Sequence, residues 1–215
     1  MSSESKTPAR RFPVGKAAIA FALLAAAVAA WRLFSGGFPS DTTPEGAYLR
    51  VAKAVTHEQP EQFFAYLEEP AQHACYTIRD YRKKSLARAR QSYPKGQQAQ
   101  LEKLYGRIAE TRDGADVFAL YARDEGWLAQ LRRDLSGVGK VETSGERATV
   151  QTVRGTRYAL RRRPNGIWGL TAFTPTLVDE AERAARDHLL VIKAAEDYDR
   201  GRTRAPTATP PVAPR

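Results

Sequence analysis

At Gly137 the apolar residues change their spacing, and that change limits the fold more than any other feature of the chain. Up to Leu135 they recur every three or four residues, the repeat of a helix with one buried face. Beyond Gly137 they alternate with polar residues, the repeat of a half-buried strand. Near Thr174 the helical repeat returns. A helical block, a meander of three or four antiparallel strands and one long helix predict an α+β fold, with helices on one face of a small sheet.

The punctuation supports this division. Thr43 and Pro44 combine a capping hydroxyl with a proline at the first helical position, ahead of Ala47, Tyr48, Val51, Ala54 and Val55 on one face. Pro60 opens a short helix with Phe63, Phe64 and Leu67. Pro70 opens another, with Ala74, Ile78 and Tyr81 on one face and Arg79, Arg82, Lys83, Lys84, Arg88 and Arg90 on the others. Leu101, Leu104, Tyr105 and Ile108 mark a fourth helix after the turn at Tyr93-Pro94. Val117, Phe118 and Tyr121 mark a fifth after Asp113-Gly114, and Trp127, Leu128, Leu131 and Leu135 a sixth.

Strands are expected at residues 138–143, 147–153, 156–163 and 167–173, the last two joined by a hairpin at Pro164-Asn165-Gly166. Thr174 or Thr176 should cap the final helix, since Thr176 and Asp179 have capping-box spacing. Its apolar stripe reads as Ala181, Ala185, Leu189 and Ile192.

The N-terminal region has a different character. Fifteen uncharged residues, the first Ala17 and the last Trp31, lie between Lys16 and Arg32, behind an arm carrying Lys6, Arg10 and Arg11. Such a run fits the apolar core of a signal peptide, and Ala27-Val28-Ala29 fits a cleavage site, with cut positions near Ala29 and Ala30. It also fits an uncleaved signal anchor. Fifteen helical residues cover about 22 Å, short of a core of about 30 Å, but Lys16 and Arg32 can snorkel and add Val14, Gly15, Leu33 and Phe34. Trp31 suits the interface.

The anchor is the reading adopted, over a cleaved, secreted form. A buried Ala-rich helix of a soluble domain is the remaining possibility. The basic arm places the N-terminus in the cytoplasm and the main domain beyond the membrane, periplasmic or extracellular. The expected organisation is a basic arm (1–13), a single-pass transmembrane anchor (14–34), a linker (35–43), one α+β domain (44–202) and a disordered Pro/Ala/Thr tail (203–215).

The formal charge of +10 is unevenly spread. Residues 41–136 carry 15 basic and 14 acidic side chains, whereas residues 137–174 carry seven and two. A nucleic-acid binder would be basic more uniformly and would show a reading motif, so no nucleic acid is expected as a partner. On the third strand Tyr158 and Leu160 point one way, and Arg157, Arg161 and Arg163 the other. Arg147 and Lys140 join them if the register allows. This outer face is the first candidate contact surface, and Arg82, Lys83 and Lys84 form the second. Both would suit an anionic partner: lipid headgroups, an acidic protein or an envelope polymer. The competing interpretation is a solvated face kept charged against edge pairing.

Signals for catalysis are thin. His57, His73 and His188 stand apart, and His73 with Cys75 lacks a second ligand pair, so no metal site is expected. Gly137-Val138-Gly139-Lys140 lacks the context of a phosphate loop. No catalytic residue and no cofactor is assigned. Cys75, the single cysteine, reads as a small buried hydrophobe and excludes an internal disulfide.

The helix pair spanning residues 43–69 (TPEGAYLRVAKAVTHEQPEQFFAYLEE) and the C-terminal meander resemble extracytoplasmic NTF2-like, cystatin-like domains. The resemblance implies a sheet wrapped around helices with a mouth that binds a ligand or holds a catalytic pair. The helical block at residues 71–135 and the closing helix depart from that pattern. The first expectation is therefore a membrane-anchored extracytoplasmic binding or accessory domain. Its alternatives are a secreted or anchored enzyme, hydrolase-like, using a helix–sheet cleft with His57 or His73, and a cytoplasmic, membrane-tethered anion binder.

Overall fold

The computed structural model describes residues 39–204. The expectations for the basic arm, the anchor and the tail from residue 205 onward lie outside the described residues. No described helix is long and apolar enough to cross a membrane.

Helix α1 (Pro44–Thr56) starts as its sequence dictates: Thr43 Oγ1 accepts from the Gly46 N–H at 3.1 Å, and Pro44 opens the first turn. It buries Ala47, Tyr48, Val51, Ala54 and Val55. Glu58, at φ 57°, turns the chain into α2 (Pro60–Phe63) and a single 3₁₀ turn at Phe64–Tyr66. The long α3 (Glu69–Ser92) follows, then α4 (Lys95–Ala109), α5 (Gly114–Asp124) and α6 (Trp127–Asp134). Asp113 caps α5 by accepting from the Ala115 and Asp116 N–H groups.

The sheet is an antiparallel meander in the order β1 (Val138–Ser144), β2 (Arg147–Thr152), β3 (Arg157–Arg162) and β4 (Trp168–Leu170). Helix α7 (Thr174–Arg204) closes the chain. The fold is α+β. The inner sheet face buries Ala148, Val150, Tyr158, Leu160, Trp168 and Leu170. Tyr158 lies against Tyr48 of α1 with ring centroids 5.4 Å apart. An aromatic cluster ties α2, α5, α6 and the start of α7 together: Phe63 meets Phe118 edge-on at 4.7 Å, and Trp127 stacks on Phe173 at 4.5 Å. Helices α3 and α4 form an antiparallel hairpin, and α7 runs parallel to α3, because Arg82 meets Asp187 and Ser92 meets Asp199.

Three sequence expectations are corrected. Strand β4 is three residues long rather than seven. After Leu170 the Thr171 N–H still reaches Ala159 O at 3.1 Å, but the Thr174 N–H bonds back to Thr171 O in a turn that begins α7. On its other edge β4 is closed by Leu67 and Glu68, whose N–H donates to Leu170 O at 3.2 Å. Next, Thr176 does not cap α7: the helix already begins at Thr174, which puts Thr176 inside the first turn with its side chain exposed. Finally, the buried stripe of α7 is Leu177, Ala181, Ala184, Val191 and Ala195, while Leu189 is 64% exposed. The stripe passes through the polar pair Asp187 and His188, so counting apolar residues alone rotates it away from its true face.

Candidate functional site

The outer sheet face is built by register. Thr152 N–H donates to Thr156 O at 2.9 Å, and Arg162 N–H donates to Glu146 O at 2.8 Å, which fixes the hydrogen-bonded pairs of β2 and β3. Arg147 and Arg161 are therefore directly opposite each other in a non-hydrogen-bonded pair, the geometry that brings facing side chains closest. Both are exposed, and among the described residues neither makes a hydrogen bond or ion pair through its side chain. Arg157 faces Gln151, which in turn faces Lys140. Lys140 is satisfied by Glu142 at 2.6 Å, and this holds the Glu142 carboxyl below the usual carboxylate range, with Arg157 adding to the effect.

The sequence-derived contact residues separate here. Arg161 joins Arg147, a partner that strand alternation names but only the register places opposite it. Arg157 lies four residues away along β3, about 13 Å at strand rise. Arg163 leaves the surface. Its Nη1 donates to Ala65 O at 2.7 Å and its Nη2 to Gln72 Oε1 at 3.0 Å, while its Nε is buried without a partner. It ties the sheet to the start of α3 and is not free for a partner.

Arg82 requires a larger correction. It is 6% exposed, on the face of α3 that also buries Ile78, Ser85 and Leu86. Its guanidinium donates to Asp187 Oδ2 at 2.5 Å and lies 4.2 Å from the centre of the Tyr105 ring. Such a group holds helices together and offers a ligand nothing. Lys83 and Lys84 remain exposed, with Lys84 Nζ 5.7 Å from the Tyr81 ring centre.

Around Arg82 runs a polar seam between α3 and α7. Ser85 Oγ and His188 Nδ1 are 3.0 Å apart. Burial, reinforced by Lys84, lowers the His188 pKa. Arg88 and Ser92 both reach Asp199 Oδ2, at 2.8 and 3.0 Å. A serine beside a histidine suggests a nucleophile, yet Ser85 is fully buried and no substrate could meet its oxygen. Cys75 is likewise fully buried, and burial pushes its thiol up to about 12, the character of an inert packing residue. His73 is exposed beside Glu69 at 3.7 Å, and His57 Nδ1 lies 2.7 Å from Lys53 O at the end of α1.

Among the clefts of ligand size, one lies against the sheet. About 430 Å³ lies between α6 and the start of β3, lined by Trp127, Asp134, Arg157, Tyr158 and Phe173 among others. It exists because β4 pairs with β3 over Leu160–Arg162 alone, leaving Arg157 and Tyr158 without a β4 neighbour. The Tyr158 hydroxyl is buried without a partner, and burial pushes its pKa up to about 12, with Tyr48 and Asp134 contributing. Sequence alternation assigns Tyr158 to the core and carries no sign of this cleft. Among the described residues no group of three His, Cys, Asp or Glu side chains is placed to hold a metal ion.

No protein-family model, no curated protein and no solved structure matches this chain.

Proposed function

We propose that this chain is a membrane-tethered extracytoplasmic module whose α+β body acts by binding an anionic partner on its outer sheet face. The observation that carries the reading is the Arg147–Arg161 pair. Like charges directly opposite on adjacent strands cost stability, typically about 0.2–1 kcal/mol, and no carboxylate in the described fold relieves them. An anionic partner would relieve them. The tether and its direction are supported by the apolar run between Lys16 and Arg32 behind a basic arm. Kinship with NTF2-like domains belongs to the same proposal. The helices α1 and α2 against an antiparallel meander support it; the helices α3 to α6 ahead of β1 and the closing α7 speak against it.

Two measurements test this reading. A reporter fused after Arg215 should be active outside the cytoplasm. Activity confined to the cytoplasm would replace the proposal with a cytoplasmic, membrane-tethered anion binder. Retention on a polyanion matrix should be salt-sensitive and fall about tenfold in Arg147→Gln/Arg161→Gln. Equal retention would remove the sheet face from the proposal.

A second reading, a small-molecule or hydrolase-like site, is favoured by the unpaired Tyr158 hydroxyl beside the 430 Å³ cleft. A ligand that raises the melting temperature of the natural chain but not of Trp127→Ala would support it.

A further inference from the structure

The chain joins its body at the edge of β4. Trp168 N–H donates to Asp41 O at 3.3 Å, and Trp168 Nε1 donates to Thr42 O at 3.0 Å. Arg50 holds Pro39 O at 2.5 Å. Trp168 pairs with Arg162, and Gly169 with Arg161. The point where the linker docks is therefore two strand spacings, about 10 Å, from the strand that carries Arg161 and Arg162. Nine residues lead from Arg32 to Asp41, a chain that extends to no more than about 32 Å.

From this placement we infer that the partner of the Arg147–Arg161 face is the anionic phospholipid headgroup layer of the membrane that holds the chain. The inference rests on the tethered reading above and gives its partner a chemical identity. Three features favour lipid over an acidic protein. The charged face is a sheet surface rather than a groove, so it suits a flat layer of phosphates. Its exposed cations without an ion pair are arginines, whose planar forks grip phosphate oxygens in two-point contacts; Lys140 on the same face is paired with Glu142. The short linker would keep the face near the bilayer at high effective concentration, so a weak contact suffices. Arg162, the next residue along β3, points to the opposite face by strand alternation, as does Glu146 across from it, so this end of the outer face presents Arg147 and Arg161.

The test uses the full chain reconstituted in phosphatidylcholine nanodiscs, with or without one third phosphatidylglycerol. Phenylglyoxal labelling is read residue by residue by mass spectrometry. Modification of Arg147 and Arg161 should be roughly fivefold slower with phosphatidylglycerol, from the roughly fivefold attraction that each basic residue gains at an anionic surface. The protection should vanish in 1 M salt, where screening acts over about 3 Å.

Exposed Arg107 should label equally in both discs, and Lys83→Gln/Lys84→Gln should leave the protection intact. Equal labelling of Arg147 and Arg161 in both discs overturns the inference. So does loss of protection in the lysine variant, since net charge rather than this face would then be responsible. Protection by soluble polyaspartate but not by phosphatidylglycerol assigns the face to an acidic macromolecule and also overturns it. Failure of the tethered reading is separate: the natural chain would then wash off vesicles in alkaline carbonate, before any labelling is compared.

Discussion

The α3–α7 seam and the outer sheet face use the same residue for opposite ends. On α3 the side chains of Arg79, Arg82, Arg88 and Arg90 all find acceptors, in Thr111 O, Asp187, Asp199 and Glu102. On the outer sheet face, Arg147, Arg157 and Arg161 make no side-chain hydrogen bond or ion pair among the described residues. Arg82 and Arg88 meet Asp187 and Asp199 of α7, Arg90 meets Glu102 of α4, and Arg79 donates to the Thr111 carbonyl, so the fold satisfies all four. The outer sheet arginines have no such partners, because their face has no second layer over it. Charge density alone therefore says little about binding; what distinguishes the two regions is whether the fold has already supplied the counterion.

The largest effect that would break this contrast is in the seam. Arg82→Ala should cost about 3 kcal/mol, since it strips the cation from Asp187 and the packing from the Tyr105 ring. That is the low end of the range for broken buried pairs, as the Asp187 side chain keeps 29% of its exposure. Urea denaturation measures it. Arg82→Met/Asp187→Leu should recover most of the loss, because an apolar pair of similar volume needs no desolvation. If the double variant is as unstable as Arg82→Ala, the pair is not what the seam depends on. A truncation such as Arg161→Ala on the sheet should show no comparable loss.

The same residues show how far the sequence could be read. Strand alternation and the Asn165-Gly166 turn placed Tyr158, Leu160, Trp168 and Leu170 on one face, because that pattern is local. The helix starts at Thr43 and Asp113 were legible for the same reason. The pattern does not reveal Arg82 as buried, because its burial depends on Asp187, 105 residues away. A signal was present nonetheless: Arg82 stands four residues from both Ile78 and Leu86, inside the stripe rather than beside it. Asp187 and His188 hold the matching interval between Ala184 and Val191 on α7. The truncation of β4 depends on Leu67 and Glu68 occupying its edge, a tertiary event. Gly169 was its trace, since a glycine within a strand marks a close backbone approach.

That glycine supplies the next prediction. A Cβ on Gly169 would lie 2.6 Å from the Glu68 backbone, so Gly169→Ala must push the α3 entrance away from the sheet. The expected cost is about 2 kcal/mol by denaturation. Gly145, which has open space around it, should behave differently: its φ of 59° alone makes Gly145→Ala unfavourable, by about 1 kcal/mol.

A smaller effect separates the regions by pH. In the fold, burial and Lys84 disfavour the His188 imidazolium, so its pKa lies below that of the unfolded chain. The unfolded state then takes up the proton first. Stability should fall as pH drops through about 6.5 and level off below the folded pKa. His188→Gln should flatten that limb. Asp199 acts further down. Arg202 first, then Ser92 and Arg88, hold its carboxyl below the usual range, so its contribution is present above about pH 4 and is lost as pH falls through the folded pKa. Neither Arg147 nor Arg161 acts on His188 or Asp199, so the sheet variant Arg147→Gln/Arg161→Gln should show the same pH limbs as the natural chain.

The smallest effect is the most discriminating, because its sign is unusual. Arg161→Thr should raise stability, by about 0.5 kcal/mol, by removing a like charge opposite Arg147 and adding a β-branched residue to an exposed strand position. The same substitution should weaken binding to anionic surfaces. A residue retained for the fold loses stability when it is replaced; one retained for a partner can gain stability while losing binding. Arg82 and Arg161 should therefore move in opposite directions in one denaturation series. If Arg161→Thr instead destabilises the fold by 1 kcal/mol or more, the sheet arginines are structural and the two regions work alike.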